Sequence, residues 1–224
     1  MIRIGLLGLG TVGSGVFEII KNKKGYFSEL VGTDIEITKI LVQNINKKRE
    51  YKLPDKILTT NPDDILKNPE IDIVVEVIGG LSDSYKYIKA ALNNNKHVVT
   101  ANKEVVSNHL TELISLAKSK NKGFLFEASV GGGIPIVKPL KQCAKINDIS
   151  EIKGILNGTT NFILTKMFEE TLSFDEALNL AQNLGYAEAN PTSDIEGYDV
   201  ARKLAILSSI AFKNETSVEN ILCR

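Results

Sequence analysis

The residues best equipped for chemistry lie between Gly185 and Lys203, in the run Gly-Tyr-Ala-Glu-Ala-Asn-Pro-Thr-Ser-Asp-Ile-Glu-Gly-Tyr-Asp-Val-Ala-Arg-Lys. The acids Glu188, Asp194, Glu196 and Asp199 precede a lysine, and an apolar helical stretch, Leu204 to Phe212, follows at once. Asp199 and Lys203 are spaced i, i+4, so on a helix they share one face. Val200, Leu204, Leu207 and Ala211 form the expected buried stripe, with Lys203 on its flank. A lysine so placed buries its stem and presents its ammonium group. Acids in a loop beside such a lysine suit an amino-acid substrate and a proton transfer. A plainer reading competes. Ser193 with Glu196 spells a capping box and Asp194 suits the positive end of a helix, so a capped surface helix explains the same residues.

The elements that must position this stretch begin at the other end of the chain. Ile2 to Leu7 is a short apolar run, followed by Gly8-Leu9-Gly10-Thr11-Val12-Gly13 and a helical pattern through Val16, Ile19 and Ile20. Strand, glycine turn and helix in that order form the dinucleotide fingerprint. Gly8 permits the turn, Gly10 admits a pyrophosphate to the backbone, and Gly13 lets the helix pack on the strand. Thr11 and Val12 then sit where the helix N-terminus meets the phosphates. A second strand is expected at Ile35 to Val42. Its end reads Val42-Gln43-Asn44 and then Lys47, Lys48 and Arg49, without the acid that binds a ribose 2′-hydroxyl. That favours NADP or tolerance of both NADP and NAD; a solvated basic loop is the alternative.

Ile71 to Ile78 reads as a buried parallel strand ending in Gly79-Gly80, with a helix over Ser84 to Asn93 and a further strand at His97 to Thr100. Thr100 and Lys103 then stand at the strand ends that face a ligand crevice. An exposed lysine at a helix start is the other reading of Lys103. His97 and His109 read as structural or solvated. Gly123 to Ala128 is expected to be another strand. It leads into Ser129-Val130-Gly131-Gly132-Gly133-Ile134-Pro135, where Glu127 and loop carbonyls suit a monovalent cation, or the turn simply joins two domains. Pro135 fits the first turn of the next helix.

From about residue 129 a second domain is expected to close over the crevice. It contains a strand at Asp148 to Leu156, the loop Asn157-Gly158-Thr159-Thr160-Asn161, a helix to Glu169, and another from Phe174 to Leu184. Ser173 and Glu176 cap that last helix and Gly185 ends it. The fold class is therefore α/β, a Rossmann-type doubly wound parallel sheet over residues 1–128. A smaller α+β domain follows over 129–224.

Composition narrows the partners. The chain has 224 residues, 43% hydrophobic and 24% charged, and 27 basic residues balance 27 acidic ones. A net charge of zero supplies no field for nucleic acid or a membrane surface. Cys143 and Cys223 lack metal-ligand spacing and suit a reducing cytoplasm. Met-Ile-Arg-Ile enters a strand at once, leaving no room for a signal peptide. A soluble, cytoplasmic protein is expected.

Taken together, Gly-Leu-Gly-Thr-Val-Gly (8–13), Val-Val-Thr-Ala-Asn-Lys (98–103), Glu-Ala-Ser-Val-Gly-Gly-Gly-Ile-Pro (127–135), Gly-Ile-Leu-Asn-Gly-Thr-Thr-Asn (154–161) and the 185–203 run resemble homoserine dehydrogenase. The resemblance implies NAD(P)H-dependent reduction of L-aspartate 4-semialdehyde to L-homoserine, on the route to threonine, methionine and isoleucine. It makes Lys203 the general acid, Asp199 its orienting partner, and Lys103 the lysine at the nicotinamide and substrate junction. Glu188, Asp194, Asn157, Gly158 and Thr159 become substrate-binding, and Gly185 a cofactor contact. Glu127, Val130, Gly132 and Ile134 become the holders of a structural Na+, mostly through backbone oxygens. Family members form homodimers and continue past the catalytic helix; this sequence ends at Arg224, so an incomplete second-domain sheet is expected. The competing readings are a catalytically inactive NAD(P)-binding regulatory module and a related NAD(P)-dependent amino-acid dehydrogenase.

Overall fold

The computed structural model describes residues 1–49 and 53–223. Contacts divide the chain into two units, Met1–Ile136 and Val137–Arg224. Chain order in the first is β1 (Ile2–Leu7), α1 (Thr11–Asn22), α2 (Lys24–Val31), β2 (Ile35–Leu41), β3 (Leu58–Thr59), α3 (Asp63–Leu66), β4 (Ile73–Glu76), α4 (Ser82–Asn93), β5 (His97–Thr100), α5 (Lys103–Ser119) and β6 (Phe124–Leu125), then a 3-10 turn at Glu127–Ser129.

The six strands are all parallel, in the order β3-β2-β1-β4-β5-β6. This is the order of the dinucleotide-binding sheet, whose ligand crevice opens where the winding reverses, here between β1 and β4. Leu6, Ile40, Ile4, Phe17, Ile57 and Val75 form a core cluster in this unit. Fully burying a side chain such as Leu6 or Ile40 stabilises the fold by roughly 1.5–3 kcal/mol.

Two expected strands are shorter than their apolar runs. The run Ile71 to Ile78 yields only Ile73–Glu76, because the Ile78 N–H donates to the Glu76 side chain at 3.0 Å rather than to a neighbouring strand. The run Gly123 to Ala128 yields only Phe124–Leu125, because the Ser129 N–H and hydroxyl both turn back to the Phe126 carbonyl. His97 is structural: its Nδ1 accepts the Gly123 N–H at 2.9 Å and fastens β5 to the approach of β6.

The second unit contains α6 (Val137–Ile146), α7 (Gly158–Glu169), α8 (Phe174–Asn183), α9 (Thr192–Ile195), α10 (Tyr198–Ala211) and a 3-10 turn at Val218–Asn220. Ile163, Ala177, Ala181 and Ala187 form the core between α7 and α8. The capping box at Ser173 and Glu176 is complete, and Gly185 follows α8 with φ +79°. Glu176 is held below the usual carboxylate range by its bonds from the Ser173 hydroxyl and N–H.

Three expectations for this unit differ from the structure. The segment 148–156 is not a strand, since a strand exists only against a neighbour's ladder and none pairs with it among the described residues. Pro135 precedes α6 by two positions instead of entering its first turn. Ser193 and Glu196 form no capping box. The chain makes one helical turn at α9, and Gly197 at φ +78° reverses it before α10 starts. Burial on α10 centres on Ala201, Ala205 and Leu207, with Ala211 also buried and Val200 and Leu204 half-buried.

Candidate active site

In the first unit the functional positions gather at the carboxyl ends of β1, β4 and β5. Gly8 has φ +104°, a conformation closed to most residues, and a Cβ on Gly13 would stand 2.2 Å from the Gly8 carbonyl oxygen. Around Gly10 a Cβ would meet nothing within 4 Å, and no side chain caps α1. Thr11 and Val12 are exposed at this helix start. The cradle therefore has a helix N-terminus, an uncapped first turn and open space where a diphosphate would lie, which fits a dinucleotide.

The loop after β2 holds one surprise. Arg49 spends its guanidinium on the loop's own backbone, donating to the carbonyls of Asn44, Ile45 and Lys47 at 2.8 to 3.1 Å. Lys47 and Lys48 remain exposed.

Sequence reasoning missed Glu76, a lone acid in an apolar strand that is fully buried. It pairs in register with Leu7 on β1 and Thr100 on β5. Its carboxylate accepts the Thr100 hydroxyl at 2.6 Å and the N–H groups of Ile78 and Gly79 at 3.0 and 3.3 Å. The Thr100 hydroxyl in turn accepts the Asn102 N–H, and the Asn102 amide donates to the Gly80 carbonyl at 2.7 Å while its oxygen caps α5. Thr100, expected beside the cofactor, thus has its hydroxyl engaged in the scaffold. Lys103 is the first residue of α5, directly after this braced turn.

The cation loop lies at the end of the first unit. Glu127 accepts the Ile136 N–H at 2.6 Å, and a Cβ on Gly131 would meet the Ile134 oxygen at 2.5 Å, so the loop folds back on itself. Val130 is buried, while Gly132 and Ile134 are exposed. Glu127 and the loop's main-chain carbonyls are oxygen donors, the type that a hard cation takes.

The second unit brings the Asp199–Lys203 pair together as its spacing requires. Lys203 Nζ lies 2.7 Å from Asp199 Oδ2, with the side chains 17% and 3% exposed. A second ammonium N–H goes to the Leu156 carbonyl at 2.8 Å, so two of three donors are held and one remains for another oxygen. Asn157 links Asp194 to this pair. Its amide nitrogen donates to Asp194 Oδ1 at 2.8 Å and to Asp199 Oδ2 at 2.9 Å. Its oxygen accepts the Thr160 N–H and hydroxyl.

Thr159 is buried and donates its hydroxyl to the Tyr186 carbonyl, while the Tyr186 ring stacks on Phe162 at 4.7 Å. Gly158 and Gly185 are exposed, with open space where a Cβ would stand. Glu188 is exposed, and among the described residues its carboxylate joins no hydrogen bond or ion pair. Asn157 and Thr159, expected at the substrate, have their side-chain hydrogen bonds spent inside the protein.

Residues 8–127 match the family model described as homoserine dehydrogenase, NAD binding domain, and residues 135–224 match the homoserine dehydrogenase model. A homoserine dehydrogenase of Bacillus subtilis is 48% identical over 98% of this chain and 51% of its own length. A crystal structure of a homoserine dehydrogenase from Thiobacillus denitrificans superposes with TM-score 0.89 at 46% identity, over 97% of this chain and 50% of that one. A hyperthermophilic archaeal homoserine dehydrogenase solved in complex with NADPH gives TM-score 0.78 at 27% identity, over 99% of this chain and 75% of that one. The chain spans about half the length of the curated relatives it matches. Among the described residues no helix is long and apolar enough to cross a membrane.

Proposed function

The chain belongs to the homoserine dehydrogenase family, and from that premise we propose that it interconverts L-aspartate 4-semialdehyde and L-homoserine with NAD(P)H. In the cell this serves threonine, methionine and isoleucine biosynthesis, in the cytoplasm, by a homodimer. Residues 1–128 bind the dinucleotide and 129–224 bind and protonate the substrate. The observation that carries this reading is the Lys203 ammonium, fixed by Asp199 and the Leu156 carbonyl with one N–H left over.

The nicotinamide supplies the hydride when bound. Hydride addition builds negative charge on the aldehyde oxygen, and the Lys203 ammonium stabilises that charge and delivers the proton. In the oxidative direction the same amine takes the hydroxyl proton back. Asp199 holds the ammonium by charge and direction. The substrate's own ammonium group needs an acid with lone pairs to spare. Glu188 has a free carboxylate, and Asp194 uses only Oδ1 on Asn157 among the described residues. Lys103, at the braced start of α5, is the second lysine that this reading makes catalytic.

Gly8, Gly10, Thr11, Val12 and Gly13 cradle the diphosphate, and Gly185 lies against the cofactor. With Arg49 committed to its loop, Lys47 and Lys48 are the cations that would meet a 2′-phosphate, so NADP is used at least as well as NAD. Glu127 and the oxygens of Val130, Gly132 and Ile134 hold a Na+ that stiffens the loop.

The test is oxidation of NADPH and of NADH by the purified full-length protein, with and without aspartate semialdehyde. Lys203→Ala is expected to lower turnover by roughly 10²–10⁴-fold while cofactor affinity stays within a factor of two or so. Cofactor binding without turnover in the unmutated protein would replace this reading with a regulatory module. Turnover of another carbonyl substrate alone would point to a different dehydrogenase.

A further inference from the structure

Asn157 offers two explanations for its place, and the structure separates them. As the N-cap of α7 it needs only its side-chain oxygen, which accepts the Thr160 N–H at 2.8 Å and the Thr160 hydroxyl at 3.0 Å. Serine, threonine and aspartate cap as well as asparagine does. None of them offers what the other half of this side chain provides. The buried amide nitrogen gives its two N–H groups to two different carboxylates, Asp194 Oδ1 and Asp199 Oδ2, which lie 37 and 42 residues further along the chain. The orientation of the amide follows from chemistry, since the reverse would place its oxygen against two anionic acceptors. Both donors and both acceptor sites are then engaged, so nothing on this side chain is left for a substrate.

Asp199 Oδ2 is the same oxygen that receives the Lys203 ammonium at 2.7 Å, and the residue before Asn157 supplies the carbonyl that receives it at 2.8 Å. One short segment thus sets both anchors of the lysine: Leu156 directly, and Asp199 through the Asn157 amide. We propose that Asn157 is the positioning residue of the lysine–aspartate pair, a neutral clamp that fixes the Asp199 carboxylate and so aims the one remaining Lys203 N–H. This rests on the catalytic reading of Lys203 given above. The neutral amide matters because it donates to both acids without adding a charge. A carboxylate in its place would set a third acid against the other two.

Asn157→Ser in the full-length protein isolates the clamp from the cap. The cap is expected to survive, since serine caps comparably, so any fall in melting temperature reports the lost donors to Asp194 and Asp199. In homoserine oxidation kcat is expected to fall roughly 10–100-fold while KM changes less than about threefold, the signature of a misaimed general acid–base. Asn157→Asp, which also caps, is expected to fall further. A crystal structure of Asn157→Ser supplies a readout independent of turnover, with the Asp199 carboxylate turned and Lys203 Nζ beyond hydrogen-bond reach of the Leu156 carbonyl.

An unmoved lysine in those crystals would overturn the proposal whatever the rate, as would unchanged kcat. A raised KM with kcat kept would make Asn157 a substrate contact instead. Absence of homoserine turnover in the parent protein would sink the catalytic reading, while the crystallographic comparison would still judge the clamp. If Asn157→Ser fails to fold, Thr160→Val, which removes only the hydroxyl bond to the amide oxygen, gives the same comparison with a kcat loss of about threefold.

Discussion

Two buried polar residues, one in each unit, organise this molecule in opposite ways. Glu76 is a charged group surrounded by neutral donors: a hydroxyl and two backbone N–H groups satisfy a carboxylate between two strands. Asn157 is a neutral group surrounded by charged acceptors, and it gives its N–H groups to two carboxylates. The first arrangement fixes backbone, namely the Gly79-Gly80 turn and the start of α5. The second fixes side chains: the carboxylates of Asp194 and Asp199 and, through Asp199, the Lys203 ammonium. A scaffold that presents main-chain groups to a cofactor tolerates a buried charge as long as every lone pair is used. On the proposed reading of Lys203 as the proton donor, a neutral intermediary holds the pair without adding a charge to it.

The comparison breaks most visibly at Glu76. Glu76→Leu removes the acceptor for the Thr100 hydroxyl and two backbone N–H groups at once, and unsatisfied buried donors cost roughly 1–3 kcal/mol each. The expected result is a loss of roughly 2–5 kcal/mol in urea unfolding together with weakened dinucleotide binding. Stability near that of the parent would show that the turn holds itself without the carboxylate.

The glycine turn sharpens the same point. Gly13→Ala drives a methyl group against the backbone oxygen of Gly8, a rigid neighbour, and is expected to lower both stability, by about 1–3 kcal/mol, and cofactor affinity. Gly10→Ala meets nothing in the protein, so its unfolding free energy is expected within about 1 kcal/mol of the parent. Its cofactor dissociation constant, measured by fluorescence titration, rises at least tenfold if the diphosphate lies over that glycine.

The smallest effect belongs to a surface network that serves neither site. Tyr85 and Lys89 on α4 meet Glu112 and His109 on α5: Lys89 lies 2.8 Å from Glu112, the Tyr85 hydroxyl donates to it at 2.8 Å, and His109 stacks on Tyr85. The Lys89 bond and then the Tyr85 bond hold Glu112 below the usual carboxylate range. A depressed carboxylate stabilises the fold above its unfolded value, about 4.3, and that contribution disappears as pH falls through the lower folded value. Glu112→Gln is therefore expected to lower the melting temperature slightly at pH 7. The deficit closes as the pH falls through the lowered folded value, because both proteins then carry an uncharged group there. An equal deficit at both ends would show that shape, not charge, is what Glu112 contributes.

How much of this could be read from the chain depended on the range of each interaction. The parallel sheet, the Gly8-to-Gly13 turn and the cap at Ser173 are written in spacings of two to six residues, and each forms where its spacing requires. Ser193 and Glu196 have capping-box spacing too, yet Ser193 falls inside the one-turn α9, and Gly197 turns the chain before α10 starts. The segment 148–156 carries several β-branched residues, but no strand among the described residues pairs with it, and β-character is realised only against a partner.

The sequence by itself determined which residue types stand at strand ends and helix starts, and it placed Asp199 and Lys203 on one helical face, since those follow from local geometry. Only the tertiary structure decided that Glu76 is a buried acceptor for Thr100, and that the Asn157 amide reaches two acids while the Leu156 carbonyl takes the lysine. The physical reason is that a hydrogen bond across 24 to 47 residues leaves no periodic mark on the chain that makes it. It exists only once packing has brought donor and acceptor within about 3 Å.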